Sequence, residues 1–382
     1  MKTSGFPIKN QGNGVDEKSI STLVDQIRTL VQAARRTAVT VVDSIQVVTN
    51  FEIGRMILEH EQQGTPRAEY GKMVLKALSE RLASELGRGF SKSNLEYMRR
   101  FYLEYRDHVK HIAQIPSGQS KKILAGSSLR HYINITQMTS GQCDSLFPLS
   151  WSQYVFLLSV KNTAERRFYE IESADNGWSL PELRRQFDSG LYERLALSRD
   201  KEGVRKLSQK GQIVTKPQDV IKNPYILEFL GLDEKIRYSE SDLETAIIDK
   251  LEQFLLELGK GFLFEARQKR FTFGEDHFFV DLVFYNRLLR CYVLIDLKIG
   301  KLTHQDLGQM QMYVNYFDRH VRLDNENQTV GIILCKKKHD VMIEITLPKK
   351  ANIYASQYQL YLPSKEDLKQ RLMEWAEEAQ VR

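Results

Sequence analysis

Apolar residues recur at helical spacing from Ser19 to about Glu61, in Val24, Ile27 and Val31 and then in Val47, Phe51, Ile53 and Ile57, and this predicts long helices ending near Gln62-Gln63-Gly64. A further helix is predicted from Gly71 to Leu86, where Val74, Leu78, Leu82 and Leu86 share one face and Gly87 stops it. Ser93 followed three places on by Glu96 forms a capping-box signal for the next helix. In that helix Leu95, Met98, Tyr102 and Tyr105 are expected inside, and Arg99, Arg100 and Arg106 outside. Helix, glycine turn and basic helix together have the shape of a helix-turn-helix unit, in which arginines meet DNA phosphates. The same pattern also suits two plain antiparallel helices with solvated arginines. Arg99, Arg100 and Arg106 are therefore the candidate nucleic-acid contacts.

Between Asp107 and Ser145 the pattern gives way to Ser, Gly, Lys and Gln, which predicts a mobile surface insertion without chemistry. Helical periodicity returns over Leu149 to Ser159, Ala164 to Ser173 and Leu180 to Leu195, so residues 18–197 read as an all-α domain. Residues 198–222 read as a basic linker. Its Arg205, Lys206, Lys210 and Lys216 are either solvated or follow a phosphate backbone. Residues 223–375 read as a second domain. One helix is predicted with Leu243, Ile247, Leu251, Phe254 and Leu258 inward, stopping at Gly259. The period then shortens to that of strands over 262–273, 276–285, 290–298 and 329–335, with a helix from His304 to about Asp318 before the last. Helix, three strands, helix and strand is an α/β layer order, and the whole chain is an α+β multidomain protein.

Composition narrows the classes without choosing among them. A chain of 382 residues has room for two cores. Its 55 Lys and Arg against 49 Asp and Glu leave a formal charge of +6, a mild excess that suits a polyanion. Cys143, Cys291 and Cys335 show neither a C-x-x-C pair nor zinc-ligand spacing, so no disulfide scaffold or structural zinc is expected. The polar first residues and the lack of a long apolar run point to the cytoplasm and away from membranes.

The chemistry is concentrated in the second and third strands. Alternation puts His277, Phe279, Asp281, Val283 and Tyr285 on one face of one strand, and Tyr292, Leu294, Asp296 and Lys298 on one face of the next. A hairpin turning symmetrically between Leu288 and Leu289 sets Asp281 opposite Asp296, with Cβ atoms about 5 Å apart. Two carboxylates facing each other among apolar neighbours need a compensating charge, and a divalent cation supplies one. Lys298 beside such an ion can orient water or stabilise phosphate charge, which makes phosphodiester hydrolysis the natural reaction. A bland alternative is an Asp296–Lys298 ion pair with Asp281 exposed at a strand end. A glycosidase reading fits less well, since an adjacent lysine holds both carboxylates ionised and removes the general acid. Glu244, on the preceding helix, is either a further metal ligand or the third member of a Ser241 capping box.

Asp281 followed by Asp296-Leu297-Lys298 resembles the D…(D/E)-x-K signature of PDDEXK nucleases, and Gln309 with Tyr313 resembles the Q-x-x-x-Y element of several of their branches. The run from Phe278 to Tyr285, Arg290-Cys291, Leu297-Lys298-Ile299-Gly300 and Gly308-Gln309-Met310 resembles the YhcG family of bacterial nucleases. So do Arg67-Ala68-Glu69-Tyr70-Gly71-Lys72, Gly89-Phe90-Ser91, Leu149-Ser150-Trp151-Ser152 and Tyr192-Glu193-Arg194-Leu195. The resemblance implies an all-helical N-terminal domain and a restriction-endonuclease-like C-terminal domain. It makes Asp281 and Asp296 metal ligands, Lys298 the catalytic lysine, and Gln309 a polar group ordering the site.

The resulting expectation is a Mg²⁺- or Mn²⁺-dependent endonuclease acting on nucleic acid, DNA ahead of RNA, with a homodimer as one way to cut both strands. The alternative is a non-catalytic nucleic-acid-binding protein that retains the nuclease fold.

Overall fold

The computed structural model describes residues 17–63, 68–114, 146–197, 201–232, 238–348, 350–364 and 366–370. The chain divides into two compact units, residues 1–158 and 159–382. Most of the insertion expected between Asp107 and Ser145 lies outside the described residues, as do the polar first residues and Cys143.

In the first unit the long helical periodicity becomes a single helix, α1 (Glu17–Gln63), followed by α2 (Ala68–Leu86), α3 (Lys92–Gln114) and α4 (Trp151–Leu157). α3 runs past Asp107 to Gln114 rather than fading there. Its start is set by Ser91, whose hydroxyl accepts from Asn94 N at 3.3 Å, two residues ahead of the Ser93/Glu96 box expected from the sequence. Leu95, Met98 and Tyr105 are buried as expected, but Phe101 takes the innermost place and Tyr102 is only half-buried. Phe101 centres a cluster of rings, 5.0 Å from Phe147 and 4.9 Å from Tyr154 between centroids. α1 can approach α3 this closely because residue 54 is glycine: a Cβ there would stand 2.1 Å from the Met98 carbonyl oxygen.

The second unit begins with helices that the sequence assigns to the N-terminal domain: α5 (Thr163–Asn176), α6 (Leu180–Asp188) and α7 (Leu191–Leu197). From residue 201 on, the stretch read as a linker is ordered. It contains α8 (Lys201–Lys210) and a 3₁₀ turn at Pro217–Val220, and Gln212 and Lys222 are buried. The physical reason is a buried ion network. Glu257 accepts from Arg194 and Arg185 of the helices, and Lys222 donates to its carbonyl, so helices and sheet share one polar core.

The α/β part comprises β1 (Tyr225–Ile226), α9 (Glu240–Asp249), α10 (Leu251–Leu258), β2 (Phe262–Phe273), β3 (Asp276–Asn286), β4 (Cys291–Lys301), α11 (His304–His320), β5 (Val330–Lys337), α12 (Asp340–Thr346) and β6 (Ile353–Gln359). The single helix expected before the sheet is broken at Lys250, whose φ of −118° and ψ of 33° leave the helical region. The sheet order is β1-β6-β5-β4-β3-β2, antiparallel among β2, β3 and β4 and parallel from β4 to β1. β1, β6 and α12 were not expected. Two cores flank the sheet: α9 and α10 supply Leu243, Ile247, Phe254 and Leu258 to one, and α11 supplies Leu307, Met310, Val314 and Phe317 to the other.

Candidate active site

The hairpin of β3 and β4 follows the expected register, pairing Leu282 with Ile295, Val283 with Leu294 and Tyr285 with Tyr292. Its turn is held by Asn286, whose Oδ1 accepts from Leu288 N at 3.1 Å and Leu289 N at 3.0 Å. Pairing stops at Leu282 and Ile295, one residue short of the two aspartates. Where the strands part, Asp281 Oδ2 accepts from the Leu297 backbone N–H at 2.8 Å. A side chain here takes the place of a strand–strand hydrogen bond.

The expected sharing of one face by His277, Phe279, Asp281 and Val283 fails at this point. Val280 and Val283 both enter the core beneath α11, so the in-and-out alternation slips across Asp281 and Leu282. The neighbouring strand slips in step: Gln268, between the pairs Arg267–Leu282 and Lys269–Val280, has a φ of +48°. This positive φ turns its side chain onto the site, where Gln268 Nε2 donates to Asp281 Oδ1 at 3.0 Å and to Glu244 Oε2 at 2.5 Å. Gln268 carries no motif signal and was missed; its backbone conformation reveals it only in three dimensions.

Asp296 is 3 % exposed, and its Oδ2 lies 2.8 Å from Lys298 Nζ. The contact is a close ion pair, and no group other than Lys298 meets this buried oxygen. Lys298 Nζ is also 3.7 Å from Glu240 Oε2 of α9, an acid that carries no motif signal in the sequence. The bland alternative is half right: the Asp296–Lys298 pair exists, but Asp281 is half-buried and bonded to the backbone of β4.

The electrostatics follow from burial. The Asp296 carboxyl is pushed up to about 7, by burial first and by the neighbouring Asp281 second. Asp281 is raised too, again chiefly by burial, against the Leu297 N–H that favours its charged form. Burial pulls the Lys298 ammonium down, but Asp296 beside it outweighs this, and the net shift is upward. On α11, Gln309 Nε2 donates to Tyr313 Oη at 2.6 Å, and the Tyr313 hydroxyl is pushed up to about 12 by burial and by Asp296.

Glu244 is buried at 4 % and is not a cap. Ser239 and Asp242 form the capping box of α9, while Glu244 accepts from Arg267 and Gln268. Among the described residues no three His, Cys, Asp or Glu side chains converge as a ready-made metal cage, and Glu244 is joined to Asp281 through Gln268. Two carboxylates, one with a buried oxygen met only by Lys298, fit a hard cation that keeps several waters. His277 bonds to its cross-strand neighbours Arg270 and Thr272, and His304 opens α11, so neither joins the centre. On α3, in the other unit, Arg99 is tied to Glu61 at 2.9 Å, Arg100 is exposed and Arg106 is half-buried.

Residues 218–373 match the model of the YhcG PDDEXK nuclease domain, and residues 26–194 match that of the DUF1016 N-terminal domain. Over 350 residues the chain is 40 % identical to a protein of Escherichia coli (strain K12) named "Putative nuclease YhcG", covering 91 % of this chain and 92 % of that one. The chain belongs to the YhcG family. Residues 218–373 are accordingly a PDDEXK nuclease domain, and the D…D-x-K residues of this YhcG relative are those that meet at the β3–β4 fork. Two solved structures, a repair endonuclease from Pyrococcus abyssi and an EndoMS complex with double-stranded DNA, share 18 % and 16 % identity with it. Each likeness covers 34 % of this chain, and 50 % and 48 % of the respective structure, at a TM-score of 0.24, which is too low to bear on function. No described helix of this YhcG-family chain is long and apolar enough to cross a membrane.

Proposed function

We propose that the protein hydrolyses DNA phosphodiester bonds with Mg²⁺ or Mn²⁺ held by Asp281 and Asp296. The observation that carries this is the placement of two carboxylates and one ammonium where β3 and β4 part, with Asp281 Oδ2 anchored on Leu297 N–H at 2.8 Å and Asp296 Oδ2 2.8 Å from Lys298 Nζ. Bound there, the cation supplies Lewis acidity, lowering the pKa of water and offsetting phosphate charge.

The chain's own groups do the rest. Leu297 N–H and Gln268 hold the two oxygens of Asp281 in a fixed orientation. Glu244, itself held by Arg267, positions Gln268. Lys298, kept charged by Asp296, orients the attacking water or donates to a phosphate oxygen. Gln309 and Tyr313 close the α11 side of the site with a directed polar pair. Water adds across the P–O bond, its hydroxyl going to phosphorus and its proton to the departing oxygen.

The helical first unit is proposed to recruit DNA through Arg100 and Arg106 of α3, with Arg99 contributing less because Glu61 already neutralises it. Buried, unpaired Cys291 and Cys335 suit a reducing cytoplasm. The experiment is cleavage of plasmid and single-stranded DNA with Mg²⁺, Mn²⁺ or EDTA, by wild type and Lys298→Ala. Cleavage that needs the cation and is lost in the variant is the expected result. Equal cutting by both proteins would sink the reading.

A further inference from the structure

Beyond the kink at Gln268 and Asp281 the β2–β3 hairpin continues outward, and its two faces are unlike. One face is packed: Phe271 stacks on Tyr316 of α11 at 4.2 Å and on Phe278 at 5.6 Å between centroids. The other face carries Arg270, Thr272, His277 and Phe279, all exposed, with Arg270 paired across the strands to Phe279 and Thr272 to His277. The Phe279 ring is 44 % exposed although the hairpin is already anchored by the rings beneath it. It contributes little to the core.

Arg270 is ordered without being neutralised. Its Nη2 lies 2.9 Å from His277 Nε2 and 3.1 Å from Nδ1, and His277 Nδ1 lies 3.0 Å from Thr272 Oγ1. Among the described residues no carboxylate pairs with Arg270. A positive charge without an acid and a bare aromatic ring thus lie side by side, two residues from Asp281, a distance of about 6.6 Å along a strand.

We propose that this face is a shelf for an unpaired nucleotide next to the scissile phosphate: Phe279 stacks on its base and Arg270 meets the adjoining phosphate. Charge selects a polyanion, and the ring selects one whose base faces are uncovered. In duplex DNA the base faces are covered by their neighbours and only edges show in the grooves. The enzyme therefore favours single-stranded or splayed DNA over intact duplex. This rests on the nuclease reading above and adds the substrate class.

The test uses full-length protein. Binding of labelled single-stranded DNA and of the matching duplex is measured in EDTA at several salt concentrations, and the ratio of their cleavage rates in Mg²⁺, for wild type, Phe279→Ala, Phe279→Trp and Arg270→Ala. Phe279→Ala is expected to weaken single-strand binding about tenfold and spare the duplex, with Phe279→Trp restoring it. The cleavage ratio should fall towards the duplex in step. Arg270→Ala should weaken both ligands and reduce the salt slope by about one. If wild type binds and cuts while Phe279→Ala matches it in binding and in cleavage ratio, the shelf is wrong and the nuclease reading stands. If wild type neither binds nor cuts nucleic acid, both fall together.

Discussion

Arg194 Nη1 lies 2.5 Å from Glu257 Oε1, and both side chains are fully buried. Arg194 is the last residue matched by the N-terminal family model, while Glu257 belongs to the nuclease domain, so the helices of 163–210 and the sheet domain share a core across the junction of the two models. Glu257 also accepts from Ile226 N at 3.1 Å and from Arg185 at 3.2 Å. Removing the acid leaves buried guanidinium groups uncompensated. Glu257→Gln should therefore cost about 3–5 kcal/mol in chemical denaturation of the second unit. A variant as stable as wild type would show that the network is not cohesive.

The same acid sets a limit at low pH. Burial pushes Glu257 up, but Arg194 and Lys222 outweigh it and bring it down to about 2 from an ordinary value of 4.5. A depressed carboxyl adds stability that is full above pH 4.5 and is lost as the pH falls through about 2. Melting curves between pH 5 and pH 2 should show this loss in wild type and a shallower one in Glu257→Gln.

Asp296 has the opposite sign. Its carboxyl is raised from 3.8 to about 7, so the folded state retains its proton longer than the unfolded chain. The stability this contributes is full below pH 3.8 and is lost as pH rises through about 7. Metal-free protein should melt progressively lower across that window, and Mg²⁺ or Mn²⁺ should restore the melting temperature most at the alkaline end. Asp296→Asn should flatten both trends. A cation effect of the same size in the variant would argue against binding at this site.

Gln268 offers a test of positioning as distinct from binding. Gln268→Ala removes the group that joins Asp281 to Glu244, leaving both aspartates and Lys298 in place. Cleavage should fall about 10- to 100-fold, with a higher cation concentration needed for half-maximal rate. Gln268→Glu puts a third carboxylate against Asp281 and Glu244 and should be no better. Unchanged cation dependence in Gln268→Ala would contradict this role.

Gly54 tests the first unit. A methyl at this position meets the Met98 carbonyl, so Gly54→Ala should push α1 off α3 and destabilise the unit by about 1–3 kcal/mol in spite of alanine's better helix propensity. A gain in helix stability instead would show that the close approach is absent in solution.

The amino-acid order alone was enough for the helices of the first unit, for β2, β3, β4 and β5, and for the hairpin register that brings Asp281 and Asp296 together. These depend on periodicity and on one short turn, which are properties of neighbouring residues. β6 was missed because its burial alternates only weakly among Ser, Gln and Tyr, and β1 because two residues carry no period. Folding in three dimensions decided the rest. The alternation slip at Asp281, the left-handed Gln268 opposite it, and the burial of Glu244, read as either ligand or cap, against Arg267 all depend on strands and a helix meeting. The ordering of residues 201–222 likewise depends on Arg194 and Lys222 finding Glu257 across intervals of 63 and 35 residues. A charge buried by distant chain leaves no local pattern, because its partner is chosen by packing and not by spacing.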